Sequence, residues 1–111
     1  MEQAAAVPQV PAAQVPDGAM LLDVREADEW DAGHVPGAQH IPLGELAARF
    51  REIGHTGPLY VICRSGHRSA HAATALAGVG LDTHNVCDGM IGWHRAGRPM
   101  ASESSGAPYV A

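Results

Sequence analysis

The sequence predicts an α/β domain built on a central, mostly parallel sheet flanked by helices. Three observations lead there. Met20-Leu21-Leu22-Asp23-Val24 and Leu59-Tyr60-Val61-Ile62 are short apolar runs of the kind that form buried strands. Segments with apolar residues every third or fourth position lie between and after them. Strand-like and helix-like segments alternate, the order that produces a parallel sheet with helical crossovers. At 111 residues the chain is one domain's worth of protein.

Residues 1–15 are rich in Ala, Pro and Gln. They are expected to be mostly extended, with 1–6 an extension of the domain and a short strand over 7–10 that Pro8 confines to a sheet edge. Asp17-Gly18 marks a turn into the strand at 20–24. Charge follows abruptly: Arg25, Glu26, Asp28, Glu29 and Asp31 surround Trp30, giving a short surface helix anchored by one aromatic. Gly33-His34-Val35-Pro36-Gly37-Ala38 is a turn-rich connector to a small strand near His40-Ile41. Leu43, Leu46, Ala47 and Phe50 form the stripe of an amphipathic helix that Gly54 and Gly57-Pro58 stop. The run at 59–62 is the strongest strand and is expected at the centre of the sheet, covered on both faces. A helix over 69–79 carries Ala72, Ala75, Leu76 and Val79, with Gly80 closing it. Residues 83–86 form another strand, Asp88-Gly89 turns into a last helix holding Trp93, and Gly97 and Pro99 end the domain. Its expected extent is 7–101, followed by a flexible tail over 102–111.

Composition excludes several functions. No apolar run approaches the ~20 residues of a membrane span, and no charged and apolar leader of the secretory type is present. All seven basic residues are Arg and the net charge is −5, without the clustered basic face of a nucleic-acid binder. The expectation is therefore no membrane and no nucleic-acid partner. Two cysteines cannot build a disulfide framework, so a reducing cytoplasm is the expected compartment.

Cys63 stands where the central strand ends and a helix is about to begin. Ligand sites of α/β sheets lie beyond the carboxyl ends of the strands. The segment from Cys63 to Ser69 is short and contains Gly66, so its N–H groups can converge in front of a helix N-terminus. A sulfur held there feels that partial positive charge together with Arg64 and Arg68, which favours thiolate over thiol. A buried structural cysteine is the competing reading, but such a residue needs neither two cations nor a glycine turn.

Cys63-Arg64-Ser65-Gly66-His67-Arg68-Ser69 resembles the active-site loop of the rhodanese-like sulfurtransferases. Leu22-Asp23-Val24-Arg25-Glu26, Gly33-His34-Val35-Pro36-Gly37-Ala38, then Asp88-Gly89-Met90, Trp93 and Gly97-Arg98-Pro99 resemble that family's other motifs, in the same order. The resemblance implies a rhodanese-like single domain with Cys63 as a persulfide carrier and no metal or organic cofactor. It implies a small sulfur-containing anion such as thiosulfate as donor, and a thiol, a protein or cyanide as acceptor. Arg68 is the candidate for holding donor oxyanions or the loop itself, and Arg64 for screening anions at the entrance. Four residues separate Cys63 from Arg68, whereas the related phosphatase-type loops have five. That disfavours a phosphatase or arsenate reductase. A binding module of the same fold is the other alternative, weakened by the intact nucleophile.

Around the loop, Asp23 and Arg25 are expected to form a buried charge pair tying loops together, and His34 to be a structural hydrogen-bonding residue. His67 and His71 have the spacing of metal ligands, but no convincing ligand set accompanies them. His67, at the loop rim, can tune the thiolate or the acceptor. Trp93 is expected to pack, and as an aromatic can wall the mouth of the site. Cys87 is a resolving or relay thiol or a semi-buried small residue. Asp88 stands where family members often carry Gly. The acids from Glu26 to Asp31 form a solvated helix face or steer a basic partner.

Overall fold

A computed structural model describes residues 6–54 and 56–111. Of the expected extension 1–6, all but Ala6 lies outside the described residues.

Five strands form one sheet in the order β1-β5-β4-β2-β3, every pair parallel. They are β1 (Gln9–Val10), β2 (Met20–Asp23), β3 (Gln39–His40), β4 (Leu59–Ile62) and β5 (Thr83–Val86). The central place of β4 and the edge place of β1 follow from composition: β4 is apolar throughout, and Pro8 beside β1 lacks an N–H for a second neighbour. The helices are α1 (Ala27–Ala32), α2 (Leu46–Arg49), α3 (His67–Gly78) and α4 (Gly89–Arg95).

Strand side chains alternate between two cores. Leu22, Val24, Leu59, Val61 and Cys63 face Leu46, Ala72, Ala73 and Leu76 from α2 and α3. Leu21, Ile62 and Val86 face Ala12, Met90 and Trp93 on the other side. Both faces of the sheet are thus covered, as parallel sheets require.

Several elements depart from expectation. The helix expected over 43–50 is one α turn between two 3₁₀ turns, Leu43–Glu45 and Phe50–Glu52. With only three or four residues in each segment, none reaches the length at which helix propagation offsets nucleation. α3 begins at His67, two residues earlier than the expected start at 69. Residues 102–111, expected as a flexible tail, run back over the domain. The N–H of Glu103 donates to Asp31 O at 3.0 Å and that of Tyr109 to Ala32 O at 3.0 Å, while Val110 packs on the α4 core. Polar composition suggested fraying, but these exchanged backbone bonds are invisible to composition.

Trp93 lies on α4. It is buried in the core on the α4 side, donates Nε1–H to Pro99 O at 2.8 Å, and carries the Arg98 guanidinium 4.2 Å above its ring. It packs, as expected, and lines a pocket with the 16–19 turn, Val35 and Pro99. Asp88 also finds its reason: its carboxylate accepts the Ala12 N–H at 2.7 Å, tying the 3₁₀ turn Ala12–Gln14 to the start of α4. Gly92 leaves the room for that carboxylate, which a Cβ there would strike. Among the described residues, no helix is long and apolar enough to cross a membrane.

Candidate active site

The chain leaves β2 toward the β3 edge and leaves β4 toward the β5 edge, so the carboxyl ends of these neighbouring strands open a crevice between diverging loops. Cys63 is the first residue after β4, and it is 1% exposed, at the floor of the loop.

The loop folds over its own cysteine. Gly66 takes φ of 103° and caps α3, a left-handed conformation that glycine adopts without strain. It also passes so close to the Cys87 carbonyl that any Cβ would overlap it. Two independent constraints therefore demand glycine at this position. The result is that the Gly66 N–H points back at Cys63 Sγ, 3.1 Å away, and the Ser69 hydroxyl lies 3.3 Å from the same sulfur.

Burial pushes the Cys63 thiol up, but the Ser69 hydroxyl and the backbone N–H groups of Ser69, Gly66 and Ser65 together outweigh it. The net effect holds the thiol below its ordinary value. Most of the stabilisation thus comes from hydrogen bonds made by the loop and first turn, rather than from the two arginines that the sequence brings to mind.

Those arginines are engaged elsewhere. Arg68 makes a two-pronged pair with Glu29 of α1, Nη1 to Oε1 at 2.7 Å and Nη2 to Oε2 at 2.8 Å. Glu29 Oε1 also accepts the Glu26 N–H at 3.0 Å, completing a capping box at the start of α1. The Arg68 hydrogen bonds, against some opposing burial, hold the Glu29 carboxyl at about 2, and Glu29 in turn raises Arg68. Of the two roles expected for Arg68, this is the holding of the loop. Arg64 is exposed and donates Nε–H to the Ala111 backbone oxygen at 3.0 Å. Ser65 and His67 are exposed on the loop rim.

Asp23 and Arg25 form the expected buried pair. Arg25 Nη2 lies 2.7 Å from Asp23 Oδ2, with both side chains wholly buried. The same guanidinium donates to Gly33 O at 2.8 Å and Glu29 O at 3.2 Å, so it fastens the C-terminal turn of α1. Trp30, next to Glu29, is clamped between His34 and His40, ring centroids 3.6 and 4.7 Å away and nearly parallel. His34 accepts its structural role through Nδ1, 2.8 Å from Trp30 O.

Two residues of the site escaped the sequence reading. Glu29 was counted with a solvated acidic face; its signal was the three-residue spacing from Glu26 that makes a capping box. Asn85, on β5, is buried and bonded to both Ser69 and Gly66, and no sequence signal set it apart, because its strand neighbours Thr83 and His84 are polar too. Cys87 is an exposed free thiol at the end of β5 rather than a semi-buried residue.

Residues 8–96 match the family model of the rhodanese-like domain. A Bacillus subtilis protein named as a candidate sulfur carrier, YrkF, is 43% identical over 74 residues, 66% of this chain. The match spans only 40% of that protein's length. The thiosulfate sulfurtransferase GlpE of Pseudomonas putida (strain GB-1) is 34% identical over 92 residues, covering 82% of this chain and 83% of its own. Among solved structures, a rhodanese-related protein from Thermoplasma volcanium matches with a TM-score of 0.79 and 31% identity, over 85% of this chain and 97% of that one.

Proposed function

The chain belongs to the rhodanese-like sulfurtransferase family, and on that footing we propose that Cys63 is its sulfur carrier. The Cys63 thiolate attacks the outer sulfur of a small anionic donor such as thiosulfate. The donor's S–S bond breaks, sulfite leaves with the bonding pair, and Cys63 becomes a persulfide anion. A nucleophilic acceptor, a thiol in the cell or cyanide in an assay, then attacks the terminal sulfur, and the pair returns to Sγ. A covalent intermediate of this kind gives ping-pong kinetics.

The observation that carries the reading is the cradle itself: N–H groups and a hydroxyl from the 63–69 loop converge on one sulfur at the mouth of a helix. Preorganised donors stabilise the negative charge without reorganising at the moment of reaction. In this reading Cys63 is catalytic and Arg64, Ser65, Gly66, His67, Arg68 and Ser69 form the binding loop. Asp23 and Arg25 support it from the next strand. The chemistry needs no cofactor, and it suits a reducing cytoplasm in which both thiols stay free. The acceptor is small enough, or flexible enough, to reach the floor of the loop.

The test is to incubate the reduced protein with thiosulfate, record its intact mass, add cyanide and measure thiocyanate. A gain of one sulfur that is discharged by cyanide and absent in Cys63→Ser is expected. Failure to load from thiosulfate and from a small persulfide alike would overturn the proposal. Hydrolysis of an aryl phosphate or reduction of arsenate in its place would move the loop to the alternative chemistry.

A further inference from the structure

Ser69 has one hydroxyl proton and two acceptors within reach. Its oxygen lies 3.3 Å from Cys63 Sγ and 2.6 Å from Asn85 Oδ1. A hydroxyl donates only one hydrogen bond at a time, so the two acceptors compete. The backbone N–H groups that point at the sulfur have no such choice, because their direction is fixed by the loop. Ser69 is thus the mobile donor of the cradle.

Asn85 is built to hold its end of this competition. It is 2% exposed, on the face of β5 that packs against α3. Its Nδ2 donates to Gly66 O at 3.1 Å and to Gln9 Oε1 at 2.8 Å. Turned over, its carbonyl would face the Gly66 carbonyl, two acceptors with no proton between them, which costs a buried group its partner. The amide is therefore locked with its oxygen toward Ser69. β1, β5, the loop and α3 all contribute to that lock.

We propose that Asn85 is a positioning residue for the nucleophile, competing with Cys63 for the Ser69 proton and so setting how much of that hydrogen bond the sulfur receives. The proposal rests on Cys63 being the reacting sulfur. With a thiolate at position 63, the charge draws the hydroxyl toward Sγ. Once a second sulfur is bound, the charge moves outward, the inner sulfur becomes a weak acceptor, and the hydroxyl returns to Asn85. No bond to carbon or sulfur is made or broken in this swing; only a hydroxyl rotates. An acceptor waiting beside the nucleophile keeps the thiolate from being over-stabilised, and a less stabilised thiolate is the better nucleophile.

The test measures the pH dependence of Cys63 alkylation by iodoacetamide, in a Cys87→Ser background, for Asn85→Val, Ser69→Ala and the double variant. Removing the competing acceptor frees the hydroxyl for sulfur, so Asn85→Val is expected to move the alkylation midpoint down by about one pH unit, a roughly tenfold rise in thiolate fraction at low pH. Ser69→Ala is expected to move it up. In the double variant the effect of Asn85→Val should vanish. A merely structural role for Asn85 predicts the opposite sign, because a loosened loop withdraws its N–H groups and raises the thiol. A midpoint that rises in Asn85→Val, or that shifts equally with and without Ser69→Ala, overturns the proposal. Should Asn85→Val not fold, Asn85→Asp replaces it: the midpoint then rises more with Ser69 present than absent, and equal rises overturn the idea. Alkylation needs no sulfur donor, so failure of sulfur loading and failure of this proposal are separately visible.

Discussion

Two arginine–carboxylate pairs flank the crevice, and they differ in what they are for. Asp23–Arg25 is closed off from water on every side, with both side chains 0% exposed. Glu29–Arg68 bridges the two diverging loops with its guanidinium 36% and its carboxylate 15% exposed. Geometry does not separate them, since each is two-pronged at about the same distances. Burial does. A sealed pair cannot lose one member without stranding a charge in the interior, whereas a half-exposed pair can open and be replaced by water. The first is scaffold and the second is a clasp on the Cys63 loop.

Variants sharpen that contrast, and the largest effect belongs to the scaffold. Asp23→Ala leaves the Arg25 guanidinium buried and unpaired, and is expected to cost about 3–5 kcal/mol in urea unfolding. A cost below ~1 kcal/mol would show that water reaches this pair. Glu29→Gln keeps the shape of the clasp and removes its charge. It is expected to cost about 0.2–1 kcal/mol of stability but to raise KM for thiosulfate several-fold, because the loop loses its tether to α1. Unchanged kinetics would reduce the clasp to decoration.

Acid probes the clasp further. The Glu29 carboxyl sits at about 2 in the folded protein against an ordinary value of 4.5, so the native state binds its proton later than the unfolded chain does. The clasp's contribution is therefore complete above about pH 4.5 and is lost as pH falls toward about 2. Urea midpoints of the protein and of Glu29→Gln should differ by a constant amount above that window and converge within it; a gap that persists to the bottom of the window would contradict the assignment. The smallest effect is expected from Cys87→Ser, an exposed thiol whose backbone, rather than side chain, supports Gly66. Its stability and its Cys63 alkylation rate should match the parent's.

The sequence made β4, its Cys63 terminus and the glycine turn plain, because each is a local signal: a continuous β-forming run, a turn residue, a helix start. The Asp23–Arg25 pair was also accessible, its members two residues apart at a strand end. What stayed hidden is what joins distant segments. Glu29 and Arg68 lie 39 residues apart, and nothing in an acidic helix face says which of its four carboxylates will turn inward. Asn85 gains its meaning only when β5 is laid beside β4 and against α3. Trp93 is legible as a packing residue, but a helix can present its aromatic to either core, and only the fold shows that α4 presents it to the one with Val86 and Met90. The docked segment 102–111 is held through backbone groups, which all residues share and no side-chain pattern reveals.

The sandwich of Trp30 between two imidazoles has an optical consequence. An indole's emission responds to what is stacked on its faces, and Trp30 has an imidazole against each one, one residue along from the clasp carboxylate. Trp93, buried in the other core, has a guanidinium rather than an imidazole over its ring. The protein therefore carries its own pair of fluorophores, one beside the crevice and one as an internal reference, and movement of α1 against the loop can be followed by the ratio of their signals without attaching a dye.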